Sequence, residues 1–343
     1  MIPDLFHGTQ KVVRRLLIVL LFLAGLAAVV AGAAAWWLGQ PLRMASQSIE
    51  LEVEPGTTPR GVAQAVVRAG VQTDARLLYY WFRLSQQDRQ IRAGNYEITA
   101  GTTPRSLLQK LVRGEESLRA ITFVEGWTFR QMRAAIAQDE FLKHDTAQMS
   151  EAEIMAALER PGVAAEGRFF PDTYTYARGS SELAVLRRAL RSMERHLEQA
   201  WEQRTPDTPL KSVDEALILA SIVEKETGRA SDRGLVAGVF TNRLRIGMRL
   251  QTDPTVIYGL GEAFDGNLRR RDLQADTPWN TYTRAGLPPT PIAMPGKASL
   301  MAAVRPEPTK AFYFVARGDG SSHFSPTLDE HNRAVNRYIR GTP

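Results

Sequence analysis

The sequence predicts a mixed α+β protein carried on one membrane-spanning helix near its N-terminus. Three observations lead there. An uncharged run, Leu16–Leu38, is built from Leu, Val, Ile, Phe, Ala, Trp and a little Gly. Downstream, short strands with apolar and polar residues in alternation are each followed by a Gly-Thr turn and an apolar-striped helix. Further on, one stretch is apolar in nearly every helical direction yet ends in two glutamates.

The apolar run comes first. At ~1.5 Å per residue a helix of that length crosses the ~30 Å hydrocarbon layer. Lys11, Arg14 and Arg15 precede it, so the positive-inside bias keeps the N-terminus in the cytoplasm. Trp36 and Trp37 lie at the far end, where indole rings favour the polar–apolar boundary. A cleaved signal peptide is the competing reading, with Ala31-Gly32-Ala33 as a small-residue cleavage site. The run exceeds an h-region of ~7–15 residues, which favours an anchor. Only Gly39–Ser48 separate it from the first strand, so the anchor also reads as a short tether.

That strand is Ile49–Glu54, where apolar and acidic residues alternate strictly. Pro55-Gly56 ends it, and Thr58 reads as a helix N-cap with Pro59 at the first helical position. Val62, Ala63, Val66 and Val67 form the stripe of this helix, and Gly70 closes it. The same device recurs. Gly56-Thr57-Thr58-Pro59-Arg60 returns as Gly101-Thr102-Thr103-Pro104-Arg105, between a strand with Tyr96 and Ile98 and a helix with Leu107, Leu108, Leu111 and Val112. A looser copy, Gly126-Trp127-Thr128-Phe129-Arg130, follows a strand expected at Ile121–Val124. A duplicated strand–turn–helix motif predicts a small α+β module over residues 46–115.

From about 130 to 210 the pattern is mostly helical, with breaks near Pro161-Gly162 and Thr205-Pro206-Asp207. Glu166–Tyr174 interrupts it with aromatics, acids and breakers, and reads either as a cleft lining or as a packed loop. The next helix opens on the capping box Ser212-Val213-Asp214-Glu215 and closes at Gly228. Its last turn carries Glu224 and Glu226, on roughly opposite sides. Glu224 falls in line with Val213, Leu217 and Ala220, and Glu226 with Leu219 and Ile222. A carboxyl among apolar groups has a raised pKa, which makes it a proton donor near neutral pH. Pairing with an arginine is the plainer alternative, and geometry alone does not choose between the two glutamates.

Near the C-terminus, Phe312–Ala316 reads as a buried strand and Asp319-Gly320 as its turn, with Thr327–Glu330 boxing a last helix. A hairpin tip accounts for Arg317-Gly318-Asp319. With no cysteine there is neither a disulfide framework nor a thiolate site. The five histidines lie far apart, and His323 and His331 lack the i, i+4 spacing of a helical zinc pair. The net charge of +6 suits an anionic polymer or membrane surface as readily as ordinary solubility.

Glu224-Lys225-Glu226-Thr227, Phe240–Leu244 and the block Gly247–Gly259, with Gln251-Thr252-Asp253-Pro254-Thr255 at its centre, resemble the endolytic murein transglycosylase family. So do Phe170–Tyr174, Asn280-Thr281-Tyr282, Gly286–Pro289, Pro291-Ile292 and Pro295-Gly296. The likeness implies a cytoplasmic tail over 1–15, a transmembrane helix over 16–38, a LysM-like module over 46–115 and a catalytic α+β domain over 120–343. It implies a cofactor-free lyase of a bacterial inner membrane, its catalytic domain periplasmic. The expected reaction cleaves the β-1,4 bond between N-acetylmuramic acid and N-acetylglucosamine without water, leaving a 1,6-anhydro end. Peptidoglycan strands and the membrane are the implied partners, with wall synthases as candidate neighbours and no nucleic acid. The family's catalytic glutamate maps onto Glu226, followed by the hydroxyl residue Thr227, and Glu224 becomes structural or a tuner of its neighbour's pKa.

An intramolecular attack by the sugar's own 6-hydroxyl supplies the nucleophile at high effective concentration, so one carboxyl can serve as acid and then as base. Asn242, Gln251, Thr252 and Asp253 are the first candidates to hold the sugars, with Asn280, Tyr282 and Glu166 behind them. Each could instead fix a turn. The run Leu287-Pro288-Pro289-Thr290-Pro291 reads as a rigid wall. A non-catalytic glycan-binding scaffold is the alternative of another class.

Overall fold

Why the chain turns where it does is clearest at the repeated Gly-Thr device. The computed structural model describes residues 5–341. Residues 1–4, and the side chains of 5–13 and Arg15, lie outside the described part, and with them most of the expected tail. In all three copies the glycine has positive φ (Gly56 82°, Gly101 92°, Gly126 78°), a conformation that a Cβ disfavours. The threonine two residues on (Thr58, Thr103, Thr128) then accepts a hydrogen bond from a backbone N–H of the first helical turn.

The chain forms two compact units, Met1–Leu118 and Arg119–Pro343. The first begins with α1 (Leu5–Leu38), which contains the apolar span Leu16–Leu38. The side chains of Leu16–Trp36 are exposed, whereas at the end of the span Leu38 is buried and Trp37 packs against the core of the unit. β1 (Arg43–Met44) follows at once and pairs with β3 (Val71–Gln72). β2 (Ser48–Val53) and β4 (Gly94–Thr99) form a second antiparallel pair, with Ile49 opposite Ile98 and Leu51 opposite Tyr96. α2 (Pro59–Arg68), α3 (Ala75–Leu84) and α4 (Pro104–Arg113) cover it. Leu51, Val62, Val66, Tyr96, Ile98, Leu107, Leu108 and Leu111 are buried together, as their periodicity requires.

At the boundary of the two units along the chain lies β5 (Leu118–Thr122), earlier than the Ile121–Val124 expected, although Phe123 N still donates across to Asp172 O before the turn into α5 (Phe129–Ala137). β5 pairs with β6 (Thr173–Ala177). That strand is an addition to the expected helical stretch, and it answers the open question at Glu166–Tyr174. Phe169, Phe170, Pro171 and Tyr174 are buried, so the segment is packed rather than a solvated lining. Gly167, at φ 77°, lies so close to the proline run that a Cβ would stand 2.4 Å from Pro291 Cβ.

α6 (Glu151–Ala157) and α7 (Glu182–Glu202) follow, and the 21 residues of α7 contribute to two core clusters. One is shared with α5, α6 and β6, the other with α8 (Val213–Glu226). Around α8 pack α9 (Arg233–Arg245), α10 (Asp253–Leu260) and α12 (Lys297–Val304), and α11 (Arg270–Gln274) lies against α10. β7 (Tyr313–Ala316) and β8 (Ser322–Ser325) form the C-terminal hairpin, capped by α13 (Leu328–Val335). β7 is only half-buried, because α9 and α13 cover it in part, whereas a fully buried strand was expected.

Candidate active site

Eight consecutive residues of α8, Ala216–Val223, are buried, so this helix is the axle of the second unit. Ser212 caps it by accepting from Glu215 N at 3.1 Å, while Glu215 reaches back one residue further than a capping box does, to Lys211 N at 2.6 Å. The polar residue inside the apolar helix is satisfied: Ser221 Oγ donates to Ile218 O and accepts from Ile292 N, which fixes the end of the proline run. The helix ends on Glu226, with Thr227 as C-cap donating through Oγ1 to Val223 O at 2.6 Å.

Glu226 emerges where α8 meets the turn before α10. Thr252 Oγ1 donates to Glu226 Oε1, and Asp253, Tyr282 and Arg243 are near enough to act on the carboxyl electrostatically. The pKa of Glu226 is raised, chiefly by burial. Asp253 adds to the rise, whereas the Thr252 hydrogen bond and Arg243 oppose it. The negative end of the α8 dipole works in the same direction as burial. The outcome is a carboxyl that holds its proton more tightly than an exposed glutamate and keeps a cation nearby for when the proton leaves.

The donor is itself held in place. Thr252 N donates to Thr281 Oγ1 at 3.0 Å, Thr255 Oγ1 lies 2.9 Å from the same hydroxyl, and Gln251 N donates to Thr281 O. Gln251 sits at φ 46°, an uncommon conformation for a residue with a side chain. Tyr282 donates to Asp253 Oδ1 at 2.6 Å. Of the residues singled out from sequence, Glu226, Thr252, Asp253 and Tyr282 therefore gather at one place, with Gln251 next to them in the chain.

Three others are spent elsewhere. Asn242 donates to Thr309 O and Ala311 O, tying α9 to the segment before β7. Asn280 is fully buried and donates to the carbonyls of Asp272, Leu273 and Ala275. Glu166 is buried and accepts from Phe129 N and Gly167 N, beside Tyr258 on α10. Only Asn280 bonds carbonyls of its own turn; Asn242 and Glu166 meet backbone groups brought to them from distant parts of the chain. Glu224, on the other side of α8, accepts from Gly296 N at 2.9 Å.

Arg243 and Thr281 were not singled out as site residues. Arg243 is buried, donating from Nε to Phe312 O at 2.7 Å and from Nη1 to Leu250 O at 2.5 Å. A signal existed: it continues the buried line of Val236, Val239 and Phe240 along α9, where a cation is out of place. Thr281 carries no such signal, since a threonine between polar residues is unremarkable until the chain folds.

Glu166 makes a prediction of its own. Burial raises its pKa from 4.5 to about 7, against the hydrogen bonds that favour the anion. Native Glu166 therefore retains a proton that the unfolded chain releases between those values, so its contribution to stability is complete below the lower one. The contribution is lost as pH rises toward the upper one, by roughly 3 kcal/mol. Denaturant unfolding at about pH 5 and about pH 8 should show this slope, and Glu166→Gln should flatten it.

A buried carboxyl with a raised pKa at the end of a buried helix, held by a threonine from the next turn, is a candidate acid–base group. The chain belongs to the YceG-like family, whose model matches residues 51–337. It is 29% identical over 309 residues, 85% of either chain, to the endolytic murein transglycosylase of Bacillus subtilis (strain 168). It is 24% identical over 324 residues to the protein of the same name from Streptococcus pneumoniae serotype 2 (strain D39), spanning 85% of this chain and 58% of that one. A crystal structure of a YceG-like protein from Listeria monocytogenes superposes with a TM-score of 0.55 at 29% identity, covering 84% of this chain and all of that one.

Proposed function

We propose that this protein is a membrane-anchored lytic murein transglycosylase, a lyase in which Glu226 serves as acid and then as base. The observation that carries this is the Glu226 carboxyl, its pKa raised by burial and its Oε1 held by Thr252. In the first step Glu226 gives its proton to the glycosidic oxygen as the bond to C1 of N-acetylmuramic acid breaks. The 6-hydroxyl of the same sugar then attacks C1, and the Glu226 carboxylate takes the hydroxyl proton. A 1,6-anhydro ring forms, Glu226 regains its proton, and no water is consumed. Arg243 steadies the carboxylate between the steps. Gln251, Asp253 and Tyr282 are the candidates to meet sugar hydroxyls and the buried Thr252 holds Glu226, while Asn242, Asn280 and Glu166 hold the backbone around them.

The relatives named endolytic murein transglycosylases support the substrate class and cuts within strands. The strand–helix–helix–strand order of β2, α2, α3 and β4 supports a LysM-like module at 46–115, ahead of a catalytic domain at 120–343. The exposed apolar span supports a single pass, and Lys11, Arg14 and Arg15 ahead of it favour the N-terminus inside, with the domain on the periplasmic face. There the enzyme would end nascent strands beside a synthase. Two carboxyls acting with water is the weaker mechanism, because Glu224 is engaged with Gly296 on the far side of α8. The test is the purified full chain in detergent, incubated with insoluble peptidoglycan. Release of long soluble glycans early in the digest supports the reading. Binding without release means a scaffold, and disaccharides from the outset mean cuts from strand ends.

A further inference from the structure

α3 has two apolar faces, and the unit it belongs to uses only one. Leu78 and Phe82 are fully buried in the core. Leu77, Tyr80 and Leu84 are 51%, 60% and 80% exposed. At ~100° per residue these three fall within about 60° of one another, more than a quarter turn from the buried pair. Trp81 borders the stripe, half-buried, and Arg76 flanks it, exposed. No acidic residue occurs within the helix.

The position of this stripe along the chain path is fixed by two hydrogen bonds to one turn. Leu42 N, four residues beyond the end of the apolar span, donates to Thr102 O at 2.8 Å. Trp81 Nε1 donates to Pro104 O at 3.1 Å. Four residues reach at most ~14 Å, and Trp37, inside the span, already packs against the core of the unit. α3 is thereby pinned beside the point where α1 leaves the bilayer.

We propose that the Leu77–Tyr80–Leu84 face of α3 lies on the lipid surface of the membrane that α1 crosses, sinking into the headgroup boundary. The inference rests on the anchor reading of α1. Tyrosine and tryptophan rings with an apolar body and a polar end favour that boundary, and Arg76 suits anionic headgroups. The face then turns a tethered module into one seated on the bilayer with a set orientation. Such a seat accounts for an apolar stripe that would otherwise stand in water.

The chain has no cysteine, so single-cysteine variants label cleanly. The full-length protein is reconstituted in phosphatidylethanolamine–phosphatidylglycerol vesicles with a nitrobenzoxadiazole dye at Leu84→Cys, at Val29→Cys within the span, or at Gln64→Cys on exposed α2. Nitroxide-labelled lipids then quench whatever touches them. Quenching at position 84 several-fold above position 64, with blue-shifted emission, is the expected result. Position 84 as unquenched as position 64, with position 29 quenched, overturns the proposal. A blue shift at 84 without quenching also overturns it, since a protein partner then covers the face. Position 29 unquenched would remove the anchor reading and this proposal with it.

Discussion

Glu226→Gln should bind peptidoglycan as the parent does and cleave it at least roughly a thousandfold more slowly. The amide is nearly the size of the carboxyl and its oxygen can still accept from Thr252 Oγ1, so the turn before α10 stays in place. What is lost is a group that can give a proton and then take one. In the proposed mechanism one residue fills both roles, so removing it should disable departure of the leaving sugar and closure of the anhydro ring together. The informative control is Glu224→Gln. Its remaining carbonyl oxygen still accepts from Gly296 N, and cleavage should stay within a few-fold of the parent. Comparable losses in both variants would mean that the two carboxyls act together, with water as the nucleophile. Pull-down on insoluble peptidoglycan and initial cleavage rates, on the same preparations, decide between them.

Arg243→Met should show the second largest effect, on stability and on pH dependence at once. The guanidinium donates to two carbonyls, Leu250 O just before the turn that carries Thr252 and Phe312 O just before β7. Leaving both unpaired should cost about 2–5 kcal/mol in denaturant unfolding. The charge also opposes the burial that raises the Glu226 pKa. Without it that pKa rises further, and the basic limb of the cleavage profile moves to higher pH. Arg243→Lys separates the two effects. It retains the charge but reaches fewer acceptors, so it should lose stability while keeping the limb near its original position. A limb unmoved in both variants would leave Arg243 a structural part only.

Much of this architecture is readable in the chain because its makers are local. A threonine that caps a helix two residues after a positive-φ glycine does so through its neighbours, and the device is visible three times. The buried helix with glutamates at its end is equally plain, since eight apolar or small residues in a row leave it no solvent face. What escapes is whatever depends on distant partners. The two apolar faces of α3 are told apart only by what packs on them, Leu78 and Phe82 buried and Leu77, Tyr80 and Leu84 exposed. β6 exists only because β5 pairs with it across fifty residues of helix and loop. The roles of Asn242 and Asn280 likewise depend on carbonyls that folding brings to them, and their side chains are committed before any ligand arrives. Candidate polar residues could thus be named from sequence, while the division between those that face Glu226 and those that brace the scaffold required the fold.

The central claim is that a sugar hydroxyl, and not water, attacks the anomeric carbon. The direct measurement is digestion of purified peptidoglycan by the full chain in water enriched in oxygen-18, with mass spectrometry of the new ends. The account predicts 1,6-anhydro-muramic ends that carry no heavy oxygen. Reducing ends that incorporate oxygen-18 from the solvent would contradict it.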